Sequence, residues 1–85
     1  MSTLKTFKLE ILAVKEETLV NAVSSLTVQN KNSSFAILAD HAPLIAVLEQ
    51  EAQVLAILDS GAEERLNLNG GILEVKNNLV QIFKK

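Results

Sequence analysis

Val54-Leu-Ala-Ile-Leu58, followed by Asp59-Ser-Gly-Ala62 and then Glu63-Glu-Arg-Leu-Asn-Leu68, decides the fold class of this chain. Read with the residues before it, the first stretch is ambiguous. From Ala42 to Leu58, the positions Leu44, Val47, Leu48, Glu51, Leu55 and Leu58 fall near helical spacing. Ala, Leu, Glu and Gln also favour helix, so propensity alone predicts one here. The residues that follow argue otherwise. Asp59 to Ala62 is a turn signal, and beyond it Leu66 and Leu68 alternate with Arg65 and Asn67. Apolar-polar alternation marks a half-buried strand, and two such runs around a short turn form a hairpin. On this reading Val54–Leu58 and Glu63–Leu68 are partners.

Working outward, the same period of two recurs. Phe7-Lys-Leu-Glu-Ile11 alternates apolar and charged residues, and Ala13 continues the apolar face. Val20 to Val28 mixes β-branched residues with Ser and Asn and ends at the polar cluster Gln29 to Ser33, a turn by composition. Ser34 to Leu38 is a short return strand. Near the end, Ile72–Lys76 and Leu79–Phe83 flank Asn77-Asn78. Asn tolerates the positive φ that a type I′ turn demands at both central positions. Short, regularly spaced strands with hairpin turns predict an all-β sandwich or flattened barrel.

Composition sets the bounds. A chain of 85 residues is one domain, spanning 1–85, with one modest core and no deep cleft. Hydrophobic residues make up 48% and aromatic residues 4%, so Leu, Ile, Val and Ala must fill the core. Cysteine is absent, which removes disulfides and thiolate metal sites. Net charge is −2 without a basic cluster or aromatic platform, which argues against nucleic acid as a partner. The N-terminus shows no apolar signal-peptide region. The longest apolar region, Phe35 to Leu58, is interrupted by Asp40, His41, Pro43, Glu49 and Glu51, so direct membrane insertion is not expected.

Residues able to carry chemistry are few. His41 is the single histidine; with Asp40 and Ser33 or Ser34 it is the one conceivable nucleophilic set, and any scattered Ser, His and Asp would match that pattern as well. A loop histidine making backbone or interface contacts is the preferred reading, and no catalytic residue, cofactor site or metal site is assigned. Pro43 biases Ala42 toward extended backbone, placing His41 on a loop. Gly70-Gly71 lacks the Gly-Lys-Ser/Thr that a phosphate loop needs, and reads instead as a turn or bulge with close backbone approach. Glu16-Glu17 and Glu63-Glu64 read as solvated turn charges. One excess stands out: Val54–Leu58 and Leu79–Phe83 carry apolar residues on both strand faces, whereas a sandwich strand has one inner face. Either curvature brings both faces inward, or an outer face docks on another protein.

Two motifs carry a family resemblance. His41-Ala-Pro-Leu44 and Gly70-Gly-Ile-Leu-Glu-Val75, in this order after the strand Phe7–Ile11, resemble the epsilon subunits of F-type ATP synthases from about Phe7 to Phe83. The resemblance implies a flattened β-sandwich of about eight to ten short strands. It also implies a non-catalytic central-stalk (rotor) subunit linking the gamma subunit to the c-ring, and so indirectly to the alpha/beta catalytic hexamer. The place implied is the cytoplasmic face of the bacterial inner membrane, as a peripheral protein. Ser34, Asp40 and His41 match the loop that faces the c-ring and gamma, with Ser34 where relatives commonly carry an acid. Relatives often have Thr-Pro-Glu where Ala13-Val-Lys15 stands here, and Pro-Gly near Glu49-Gln-Glu51. Many continue into a C-terminal helical hairpin that inhibits hydrolysis; with the sequence stopping at Lys85, neither that hairpin nor its nucleotide site is expected. The alternative from another class is a freestanding β-sandwich adaptor that binds an unrelated protein.

Overall fold

The computed structural model describes residues 5–84, and every described element is a strand. These are β1 (Phe7–Leu12), β2 (Glu17–Gln29), β3 (Ser34–Leu38), β4 (Leu44–Leu58), β5 (Glu63–Lys76) and β6 (Leu79–Lys84). The order across the sheet is β1-β6-β5-β4-β2-β3, and a further β1–β2 pairing turns the sheet back on itself. Neighbours run antiparallel, except that β1 and β6 are parallel.

The ambiguous middle is strand throughout. Leu44–Leu58 pairs with β5 along nearly its full length, from Leu44↔Val75 to Ile57↔Glu63. Helix propensity there is overridden by the ladder on β5, the usual way in which tertiary context defeats a local preference. The hairpin that fixed the fold class forms as expected, with Val54 opposite Leu66. Its turn is closed by Gly61 N–H donating to Leu58 O (2.9 Å) and by Leu58 N–H donating to Ala62 O (2.8 Å). Gly61 sits at φ +92°, where a side chain would be strained. In the last hairpin, Asn77 and Asn78 both adopt positive φ (52° and 60°), as a type I′ turn requires.

Where about eight to ten short strands are expected, six appear among the described residues because three of them are long and bent near the middle. In β2 the bend is at Ala22 (φ 57°), with register shifts on both neighbours. In β4 it is at Glu51 (φ 64°), where the register with β5 slips by one residue. In β5 it is at Gly70 and Gly71 (φ 93° and 145°), almost opposite Glu51. An extra residue on one strand breaks the ladder and sharpens the twist, so each long strand contributes one half to each layer of the sandwich. Val20–Val28 therefore grows to Glu17–Gln29. Glu17, Glu63 and Glu64 become exposed strand residues rather than turn charges. Ala13 falls just beyond β1, in a turn closed by its N–H to Glu16 O (2.8 Å).

Between the layers lie Leu9, Val23, Leu26, Val28, Ile37, Leu48, Leu73, Val80 and Ile82, all almost fully buried, with Phe7 as the one aromatic buried beside them. No polar side chain is buried among the described residues. Each large aliphatic taken fully out of water contributes about 1.5–3 kcal/mol, so stability rests on close packing of these branched side chains.

Candidate functional site

The His41–Leu44 motif lies at the turn between β3 and β4. Asp40 holds φ 61°, an uncommon conformation that Asp tolerates better than most residues. Its N–H donates to Asn78 Oδ1 (2.8 Å), and Asn78 Nδ2 donates to Thr6 O (2.8 Å). One turn asparagine thus ties the β3–β4 turn, the β5–β6 turn and the approach to β1 into one end of the sandwich. The Asp40 carboxylate meets Lys5 Nζ at 3.3 Å, but both groups are well exposed and the pair contributes little. His41 is half-buried, with Nδ1 2.7 Å from Ala42 O. That oxygen only accepts, so the contact places a proton on Nδ1. Pro43 immediately precedes β4.

Ser34 does not join this group. It opens β3, whereas Asp40 and His41 follow the end of that strand at Leu38. Four strand steps separate Ser34 from Leu38, roughly 13 Å of extended backbone, and the turn lies beyond. The Ser-His-Asp arrangement conceivable from sequence is therefore not assembled, since a nucleophile and its base must come within hydrogen-bond reach. Gly70 and Gly71 sit inside β5 at its bend rather than between two strands. An ideal Cβ on Gly71 would lie 2.5 Å from Phe83 O, so the expected close approach of backbones is met at Gly71.

The feature with the clearest capacity for recognition is an outer face. Val47 lies opposite Ile72, Ile72 opposite Phe83, and Phe83 opposite Leu12, so one apolar row crosses β4, β5, β6 and β1. Val47 is 70% exposed, Ile72 48% and Phe83 42%. The next row runs Ile45, Glu74, Gln81, Glu10 and Leu19, with Gln81 Nε2 donating to Glu10 Oε1 (3.3 Å). Val80 and Ile82 fill the single inner face of β6, and curvature does not bring Phe83, on the other face of the same strand, inward. A row of large apolar side chains with an acidic border is the form a protein-docking surface takes. Sequence reasoning caught the surplus on β6 but missed Ile45 and Val47, because their outward alternation was masked by the helix-like spacing of the same stretch.

Residues 6–85 match the family described as ATP synthase, Delta/Epsilon chain, beta-sandwich domain. The chain belongs to this family. Among curated relatives, the ATP synthase epsilon chain of Acinetobacter baumannii is 32% identical over 78 residues, covering 92% of this chain and 55% of its own length. The epsilon chain of a Psychrobacter species is 30% identical over 78 residues, covering 92% and 56%. The chain thus spans about half the length of the curated relatives it matches. Two solved assemblies contain a similar fold. One is the central stalk and c-ring of the Tetrahymena thermophila mitochondrial ATP synthase, with TM-score 0.76 and 13% identity over 98% of this chain and 66% of that one. The other is the OSCP/F1/c-ring assembly of the Euglena gracilis enzyme, with TM-score 0.79 and 19% identity over 89% and 48%.

Proposed function

We propose that this domain works as a non-catalytic central-stalk subunit of an F-type ATP synthase, linking the gamma subunit to the c-ring. Through gamma it would be coupled indirectly to the alpha/beta catalytic hexamer, and it would act peripherally at the cytoplasmic face of a bacterial inner membrane. Family membership supports this reading, and the observation that carries it is the apolar row Val47–Ile72–Phe83–Leu12 on the outer face. Side chains of this size in a contiguous exposed row suit a partner that covers them. The acidic border of Glu10, Glu17 and Glu74 favours a partner surface that is apolar at its centre and cationic at its edge. A sandwich with a dry aliphatic core is stiff, and stiffness is what a torque-transmitting element needs. Ser34 and the Asp40–His41 turn then act as two separate contact points along β3 rather than as one loop. No side chain of this domain takes part in bond-making.

The test is co-purification from native membranes that carry the tagged chain. Gamma and c subunits are expected to copurify with the wild type and to be lost with Val47→Asp combined with Phe83→Asp. The melting temperature of the double variant should stay within a few degrees of the wild type, because both residues are exposed. Recovery of no ATP synthase subunit by the wild type would refute the rotor reading and favour the freestanding adaptor.

A further inference from the structure

One edge of the sandwich is closed by a side chain instead of a strand. From Leu44 to Gln50, β4 pairs with β5 on one side, and no other strand pairs with this half of β4 among the described residues. On the open side stands Asn30, the first residue after β2. Its Nδ2 donates to Val47 O (3.3 Å), and its Oδ1 accepts from Glu49 N–H (3.0 Å). Glu49 reciprocates, its Oε1 accepting from Lys31 N–H (3.0 Å). The turn is held in shape by Asn30 N–H donating to Ser33 O (2.7 Å). A carboxamide carries the same donor and acceptor as the backbone, so Asn30 takes the two positions that the N–H and C=O of one residue on an adjacent strand would take.

We propose that Asn30 is a guard on the β4 edge, and that the partner it excludes is β4 of a second copy of this chain. Within a strand, the N–H and C=O of one residue point to the same side. The bond to Val47 O therefore turns Ile45 and Val47 toward the open edge, along with Glu49. Unpaired edge groups are a template for another strand, and proteins usually protect them with charges, prolines or short strands. Other edges here follow that rule: β5 begins Glu63-Glu64-Arg65, β2 begins with Glu17, and β3 is only five residues long. Leu44-Ile-Ala-Val-Leu48 carries no charge, and both Ile45 and Val47 are 70% exposed. Two copies of this segment could pair antiparallel without like charges meeting, with apolar side chains covering one another. Asn30 supplies the protection that the segment's own sequence lacks.

Sedimentation velocity over a range of concentrations tests this with wild type, Asn30→Ala, and Asn30→Ala combined with Ile45→Lys. The wild type should be monomeric, and Asn30→Ala should self-associate at least about tenfold more tightly. The added lysine should restore the monomer, because a charge on an edge strand blocks pairing. A folded Asn30→Ala that stays monomeric at every concentration overturns the proposal. So does a wild type that is already dimeric, or self-association that persists with Ile45→Lys. Amide exchange on the wild type keeps the idea testable even if Asn30→Ala fails to fold. The Glu49 amide, bonded to Asn30, should exchange about fivefold or more slowly than the Val47 amide on the same edge. Equal rates at the two positions overturn the guard.

Discussion

Replacing Gly71 by Ala is a severe test of how the two halves of β5 are joined. An ideal Cβ at this position lies 2.5 Å from Phe83 O and 3.3 Å from Lys84 Cα. Both atoms are backbone of β6, the strand that pairs Gly71 with Lys84, so relief requires β5 and β6 to separate. The φ of +145° adds a conformational penalty that any L side chain incurs. Strained backbone costs about 1–3 kcal/mol, and overpacking against a fixed neighbour about 1–3 kcal/mol more. The combined loss is about 2–6 kcal/mol, a large share of the roughly 4–13 kcal/mol that a domain of this length possesses. Gly61→Ala provides the internal control. Gly61 also has positive φ, at +92°, but nothing lies within 4 Å of its Cβ position, so only the conformational cost of about 1–2 kcal/mol applies. In thermal melts followed by far-ultraviolet circular dichroism, each kcal/mol is worth roughly 4–8 °C at this size. Gly71→Ala should melt at least about 10 °C below wild type, and clearly below Gly61→Ala. Equal losses in the two variants would mean that the close approach to Phe83 is not felt, and would refute the steric half of the reasoning.

Three further outcomes follow from the same geometry. Glu51→Gly should raise stability by about 1 kcal/mol in urea titration, because Glu51 holds φ 64° at the bend of β4 and is exposed, so little is lost with its side chain. Leu73→Ala should cost about 2–5 kcal/mol by the same measurement, since Leu73 is fully buried and its removal leaves a cavity. Asn78→Gly keeps the positive φ but loses the bonds to Asp40 and Thr6; it should cost about 1–2 kcal/mol and speed exchange of the Asp40 amide, with Asn78→Ala costing more.

What could be read in advance divides along physical lines. The Asn77-Asn78 turn and the Asp59–Ala62 turn were legible because positive φ has a local chemical signature in Asn and Gly. The alternation in β1 and in the first half of β5 was legible for the same reason: it is local. The length of β2, β4 and β5 was not, because two of their three bends fall on Ala22 and Glu51, which carry no glycine to announce them. β2 therefore read as the shorter Val20–Val28 and β4 as Val54–Leu58 after an ambiguous stretch, while β5 read as two strands divided at its glycines. The strand identity of Leu44–Gln50 was set by β5, whose partnering residues run from Val75 opposite Leu44 to Asn69 opposite Gln50, far along the chain. Among candidate site residues, the loop position of His41 before Pro43 was foreseen, whereas its separation from Ser34 depended on β3 being extended between them. Asn30 and Asn78 read as turn formers; their partners are side by side only in the folded chain, 17 to 72 positions apart in sequence.

The parallel pairing of β1 with β6 has a consequence for how the domain is made. β6 is the last of the six described strands to be synthesised, yet it lies between β5 and β1 and carries Val80 and Ile82 into the core. While the nascent chain is still being extended, β1 and β5 each present an unpaired edge, and Leu9 and Leu73 lack their final cover. The sheet can then close only once β6 is available, through its parallel pairing with β1 from Lys8↔Leu79 to Leu12↔Phe83. Non-local closure of this kind is slow, and the open intermediate is exposed to association while it waits. A ribosome paused before Leu79 would hold a chain with five of the six strands and no stable sandwich.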